Sequence, residues 1–157
     1  MTKKLRMLLI PALMSGLALG TTGCKADLGP KYEAGNPVKI GLICLHDNSS
    51  TYDKNFIDSM AAAVANLGDR VAGDAIIKTG VDESKDAFDA AKDLVKQGCN
   101  VIFADSFGHE PFILEAAQQY KNLYVMLHNK LNIERRIPLE LLIDMTSLLQ
   151  QKMHHLV

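Results

Sequence analysis

Three short stretches concentrate the side chains capable of chemistry: HDNSSTYDKNF at 46–56, TGVDES at 79–84 and DSFGHE at 105–110. Four kinds of chemistry are conceivable for them. Nucleophilic catalysis would draw on Cys44, His46 and Asp47, a thiol, an imidazole and a carboxylate in one run. Alternation along a strand sends Cys44 and His46 to one side and Asp47 to the other, and adjacency alone does not make a triad. Phosphate binding would need GxGxxG or GxxxxGK[ST], and neither occurs, so no glycine-rich backbone cradle for a nucleotide cofactor is expected. A receiver-like phosphoacceptor would place an aspartate after the third strand, where Asp105 stands, but phosphodonor kinases work in the cytoplasm and the amino terminus argues for export. Small-molecule binding asks for less. Asp47, Asn48, Asp53, Asn55 and Asp105 can pair with sugar hydroxyls or a heterocycle edge, while Tyr52, Phe56 and Phe107 can supply stacking faces. Blander roles compete: Phe56 as a core residue, Asp53 as a helix cap, and His109 with Glu110 as the start of a helix with an acidic first turn.

The elements that must position these loops alternate regularly. VKIGLICL (38–45) reads as a strand buried on both faces. Ile57, Met60, Ala61, Val64 and Leu67 then recur at helical spacing and Gly68 follows as a stop, with Ser50 and Asp53 spaced as a capping box. The cycle repeats with DAIIKTGV (74–81), followed by the stripe Ala87, Ala91, Leu94 and Val95 ending at Gly98. It repeats again with NVIFADS (100–106), followed by Pro111 in a first helical turn and the stripe Ile113, Ala116, Ala117 and Tyr120. LYVML (123–127) suits a fourth strand. Such alternation predicts an α/β fold, a parallel sheet of about four strands with helices on both faces. All three polar stretches then fall beyond the carboxyl ends of strands, where open parallel sheets bind ligands.

Composition bounds the rest. At 157 residues and 48% hydrophobic content, one compact domain is the ceiling. With 17 Lys+Arg against 18 Asp+Glu and no basic stripe, nucleic acid is not an expected partner. Residues 1–24 read as an export signal: MTKKLR supplies positive charge, MLLIPALMSGLALG an apolar stretch too short to span, and TTGC small residues up to Cys24. TTGC resembles a bacterial lipobox, with Thr21 where leucine is usual, which makes Cys24 the expected lipidation site. An ordinary secretory signal is the alternative. Acyl chains at Cys24 would hold the protein to the extracytoplasmic face of the cell membrane. Residues 25–37, with two prolines and two glycines, read as a linker. Cys44 and Cys99 read as buried small hydrophobes, a disulfide between them remaining open; with no CxxC or spaced histidines, no metal site is expected.

KIGLICLHDNSSTYDKNFIDSMAAA together with VIFADSFGHEPFILEAAQQY resembles the amino-terminal lobe of the basic membrane protein family, lipoprotein receptors of ABC importers similar to purine nucleoside receptors. The likeness spans about residues 38–122. Asp53, Lys54, Asn55 and Phe56, and Ser106, Phe107 and Gly108, are its most specific parts. The resemblance implies a type I periplasmic-binding lobe, one of two that close on a nucleoside-like ligand, with no reaction catalysed and a permease and a cytoplasmic ATPase as partners. Phe56 would stack on the base, Asp47 would take the base edge, and Asp105 would face the ribose. Two rivals stay open: an exported α/β enzyme using the Cys44/His46 region, and a surface interaction module without a small ligand.

All eleven glycines lie at or before Gly108 and the last alanine is Ala117. This change of composition, and LHNKLNIERR where the family carries an HATG-like turn, lead to the expectation that residues 123–157 are a divergent tail, produced by a frameshift near Asn122, with the second lobe missing.

Overall fold

The computed structural model describes residues 26–127, 130–132 and 147. The expected export segment with Cys24 lies outside them. The chain forms β1 (Ile40–Ile43), α1 (Thr51–Leu67), β2 (Ile76–Lys78), α2 (Lys85–Lys96), β3 (Val101–Ala104), α3 (Glu110–Gln119), β4 (Tyr124–Leu127) and β5 (Lys130–Asn132). The first four strands are parallel, in the order β2-β1-β3-β4, and β5 adds an antiparallel edge beside β4. This is the expected α/β lobe, of an architecture common to Rossmann-like and periplasmic-binding-like domains. The antiparallel strand was not foreseen. Among the described residues no helix is long and apolar enough to cross a membrane.

Two hydrophobic clusters, one on each face, explain why the strands read as unbroken apolar runs. Ile40, Leu42, Cys44, Val101, Phe103 and Met126 face α1 and pack with its Phe56, Met60, Ala63 and Leu67. The alternate residues Ile43, Ile102, Ala104, Val125 and Leu127 meet Ala87, Ala91, Leu94 and Val95 of α2 and Ile113 and Ala116 of α3. One strand residue in two points each way, so both faces must be apolar when helices cover both. Gly41 lets α2 lie close against the sheet: a β-carbon there would lie 2.7 Å from Leu94 Cδ1.

The helix signals are realised with one rotation. Ser50 caps α1, its hydroxyl accepting from the Asp53 amide at 3.3 Å, and Gly68 ends it at φ 54°. The buried face of α1 is Phe56, Met60, Ala63 and Leu67 rather than the expected stripe, since Ala61 is exposed and Ile57 and Val64 are half-buried. The stripes of α2 and α3 are buried as expected, except that Ala117 is half-buried. Gly98 follows α2 at φ 93° and Pro111 stands in the first turn of α3.

Both expected flanking segments take part in the fold. In the stretch read as a linker, the Asn122 backbone N–H donates to the Leu28 carbonyl at 2.8 Å and its side-chain amide to the Gly29 carbonyl at 2.9 Å. Val38 bridges to Val71. In the stretch read as a divergent tail, Tyr124–Leu127 pair with Val101–Ala104 in parallel register.

Candidate functional site

From β1 the chain moves to β2 on one side, then crosses to β3 on the other. The order therefore reverses between β1 and β3, and at such a point the two following loops part and leave a crevice beyond the carboxyl ends. Residues 44–50 and 105–109 form its two sides.

Beneath the crevice lie Cys44, Asp53 and Asp105, all fully buried. The Asp53 carboxylate gathers the first loop around itself. Its Oδ1 accepts the His46 backbone N–H at 2.8 Å, and its Oδ2 accepts the Ser50 hydroxyl and stands 3.1 Å from His46 Nδ1. Burial alone would raise its pKa, but donors led by the Ser50 hydroxyl and the His46 N–H outweigh burial and hold Asp53 below the usual carboxylate range. Its place in the first turn of α1 favours the same charge. Asp105 is in the opposite condition. Oδ1 accepts the Leu45 N–H at 3.2 Å, whereas Oδ2 is sealed from solvent with no hydrogen-bond partner among the described residues. Burial first, opposed by the neighbouring Cys44 thiol, and then the proximity of Asp53 push Asp105 up to about 6.

One donor atom from each of Cys44, Asp53 and Asp105 lies within 4.8 Å of the other two. A tetrahedral zinc ion with bonds of about 2.0–2.3 Å needs its donors roughly 3.3–3.7 Å apart, with any thiol ionised. Burial, then the Asp105 charge, hold the Cys44 thiol protonated far above its ordinary range, and the Asp53 oxygens already accept three donors. The cluster thus suits a proton better than a metal ion, and its thiol is a poor nucleophile. Cys99 is also buried and free; Cys44 belongs to the cluster on the α1 face and Cys99 to the one on the α2 and α3 face, so no disulfide joins them.

The solvent side of the crevice is polar and aromatic. Asp47 and Asn48 are exposed and Asn55 and Ser106 half-buried. Asp47 Oδ1 accepts from the Ser49 amide at 2.9 Å and the Ser49 hydroxyl at 2.6 Å, and these bonds lower its pKa. Phe107 is 67% exposed and Tyr52 46%, and they lie on the two sides of the reversal. Tyr52 also spans it, its hydroxyl donating to the Asp105 carbonyl at 3.0 Å, with its ring 5.1 Å from that of Phe56. Of the residues singled out in the sequence, Asp47, Asn48, Tyr52, Asn55, Ser106 and Phe107 are exposed or half-buried at this end of the sheet. Asp53, Phe56 and Asp105 support it from below. Phe56 sits in the core at 8% exposure, where the outward ring is Tyr52. His46 pairs with Asp53 rather than with Asp47.

Glu83, which spacing did not reveal, holds the second loop. Its Oε1 accepts the Ser106 hydroxyl and the Gly108 N–H, the latter at 3.1 Å. A β-carbon at Gly108 would lie 2.2 Å from the Glu83 carboxyl, so glycine is the residue that lets the loop close on Glu83. The buried His109 adds a second tie, its Nε2 donating to the Val81 carbonyl at 2.8 Å. Glycine in SFG and the carboxylate in VDES were the legible traces, but nothing in the sequence joined them.

No protein-family model matches the chain, and no curated protein matches it.

Proposed function

We propose that the protein is a lipid-anchored, extracytoplasmic solute-binding component of an ABC importer. The lobe takes a nucleoside or a similar small polar ligand with an aromatic part. The observation that carries this reading is the coincidence at one chain reversal of two exposed rings, Tyr52 and Phe107, with the hydrogen-bonding groups of Asp47, Asn48, Asn55 and Ser106. Flat stacking faces beside acceptors and amides complement a heterocycle carrying hydroxyls. The resemblance of residues 38–122 to the basic membrane protein family supports the same reading, as does the lipobox-like end at Cys24. Asp47 takes the base edge, and Phe107 with Tyr52 takes the stacking role first expected of Phe56. Asp53 and Asp105 act from beneath by shaping the loop. The partners are a permease and its ATPase, reached from a membrane anchor at Cys24, and no reaction is catalysed. The rival enzyme reading loses support because the Cys44 thiol is buried and held protonated.

Equilibrium dialysis of the full chain against labelled adenosine, guanosine, inosine and cytidine, with glucose as a control, tests this. Saturable nucleoside binding is expected, weakened about tenfold, the equivalent of about 1.4 kcal/mol, by Phe107→Ala. No saturable uptake of any nucleoside would refute the reading and favour an interaction module.

A further inference from the structure

We propose that Asp53 and Asp105 share a single buried proton, carried on Asp105, and that losing it as pH rises loosens the loop between β1 and α1. The geometry demands one positive charge at this place. Asp53 has its oxygens filled by donors, so it is the ionised partner. Asp105 has an oxygen buried from solvent with no hydrogen-bond partner among the described residues, and an oxygen of each carboxyl lies within 4.8 Å of the other. A charged buried oxygen in that position would be desolvated and repelled at once; a protonated one can donate toward Asp53.

Among the groups facing the pair, only His46 and the shared proton can supply positive charge, and His46 stands on Asp53 rather than on Asp105. The end of β1 contributes the Cys44 thiol, which is neutral, and α1 contributes the Tyr52 hydroxyl, also neutral and bonded to the Asp105 carbonyl. The loop contributes His46, on Asp53, and the exposed Asp47, engaged with Ser49. Past β3, Ser106 is turned to Glu83. Among the described residues His46 is the one ion-pair partner of either carboxylate, and its side chain is 62% exposed.

Both carboxyls hold the same stretch of chain. Asp105 takes the Leu45 N–H and, through its carbonyl, the Tyr52 hydroxyl; Asp53 takes the His46 N–H and the Ser50 hydroxyl. Two charges in place of one strain the loop from both sides. The raised Asp105 gives the sign: an acid that binds its proton more tightly when folded contributes stability that is full below about 3.8 and is lost as pH climbs through about 6. Opening of the loop should therefore rise roughly 30-fold between about pH 4.5 and about pH 7.5. The carboxylates held below their usual range, Asp47, Glu83 and Asp93, change little in that window.

The test is hydrogen exchange of the peptide covering 44–53 in the full chain across that window, corrected for the intrinsic pH dependence of exchange, for the wild type and Asp105→Asn. The asparagine amide can donate toward Asp53 as the acid does but cannot ionise. The proposal expects the wild-type peptide to lose about 30-fold protection and the variant to stay protected throughout. Equal pH dependence in both, or none in the wild type, would overturn it. Infrared spectra of the wild type give a second readout that survives a variant that fails to fold: the carbonyl stretch of an un-ionised carboxylic acid should persist at about pH 5 and vanish by about pH 7.5. Its absence at the lower pH would also overturn the proposal. Protection at the higher pH that a chelator removes and zinc restores would replace the proton with a metal ion.

Discussion

At the scale of single residues, the site is divided between side chains that face the crevice and side chains that hold it open from below. Asp47 and Phe107 are of the first kind, Asp53 and Asp105 of the second. The division follows from solvation. A carboxylate in water can bind a solute by exchanging hydrogen bonds, whereas a buried one must have its donors built in. Burial pushes both carboxyls up; the donors on Asp53 outweigh it, whereas at Asp105 burial and the neighbouring Asp53 prevail, which is why two aspartates at the same end of the sheet have opposite acidities. The cysteines give a prediction at this scale. Cys44 and Cys99 are inaccessible, and burial raises both thiols, Cys99 to about 11. A water-soluble thiol reagent at about pH 8, with sites mapped by mass spectrometry, should leave both unmodified in the folded chain and label both in denaturant. Rapid labelling of Cys44 in the folded chain would revive it as a nucleophile and contradict the site described above.

Elements carry the positioning. Helix α1 starts where Ser50 caps it, and that start sets Tyr52 and Asp53 at the carboxyl end of β1. On the other face, α2 reaches β1 closely enough that Leu94 occupies the space of a missing side chain at Gly41. Gly41→Ala should cost about 1–3 kcal/mol by forcing Leu94 and α2 away from the sheet, measured as a lower urea midpoint at unchanged slope. A change near zero would mean that α2 packs less tightly than described.

Much of this scale was legible in the sequence. Unbroken apolar runs such as NVIFADS and helix signals such as Ser50, Gly68 and Gly98 depend on neighbours a few residues away, and those interactions are local. The rotation of the α1 stripe was not legible, because the apolar 57, 60, 61, 64 and 67 pattern and the observed 56, 60, 63 and 67 face share the same period. Only packing against Ile40, Leu42 and Phe103 chooses between them. The site divides likewise. That Asp53 and Asp105 would meet depends on β1 and β3 being neighbours, and the Glu83 tie to Gly108 on the loop after β2 folding back over 25 residues. Long-range pairings of that kind leave no periodic trace in the chain.

For the whole molecule, the order β2-β1-β3-β4 matters most. Had β3 been added beside β2, the loops after β1 and β3 would not be neighbours and Tyr52 could not reach the Asp105 carbonyl. The antiparallel β5 lies beyond β4, away from the reversal, and the segment at Leu28 and Gly29 is tied to Asn122 before β4. Neither forms part of the crevice floor. The central claim, that solute binds beyond the carboxyl ends of β1 and β3, is tested most directly by mapping amide chemical shifts of the full chain during titration with adenosine. The account expects saturable shifts concentrated in residues 46–50 and 106–108, with the amino ends of the strands unmoved. Saturable shifts elsewhere, or none at any concentration, would contradict it.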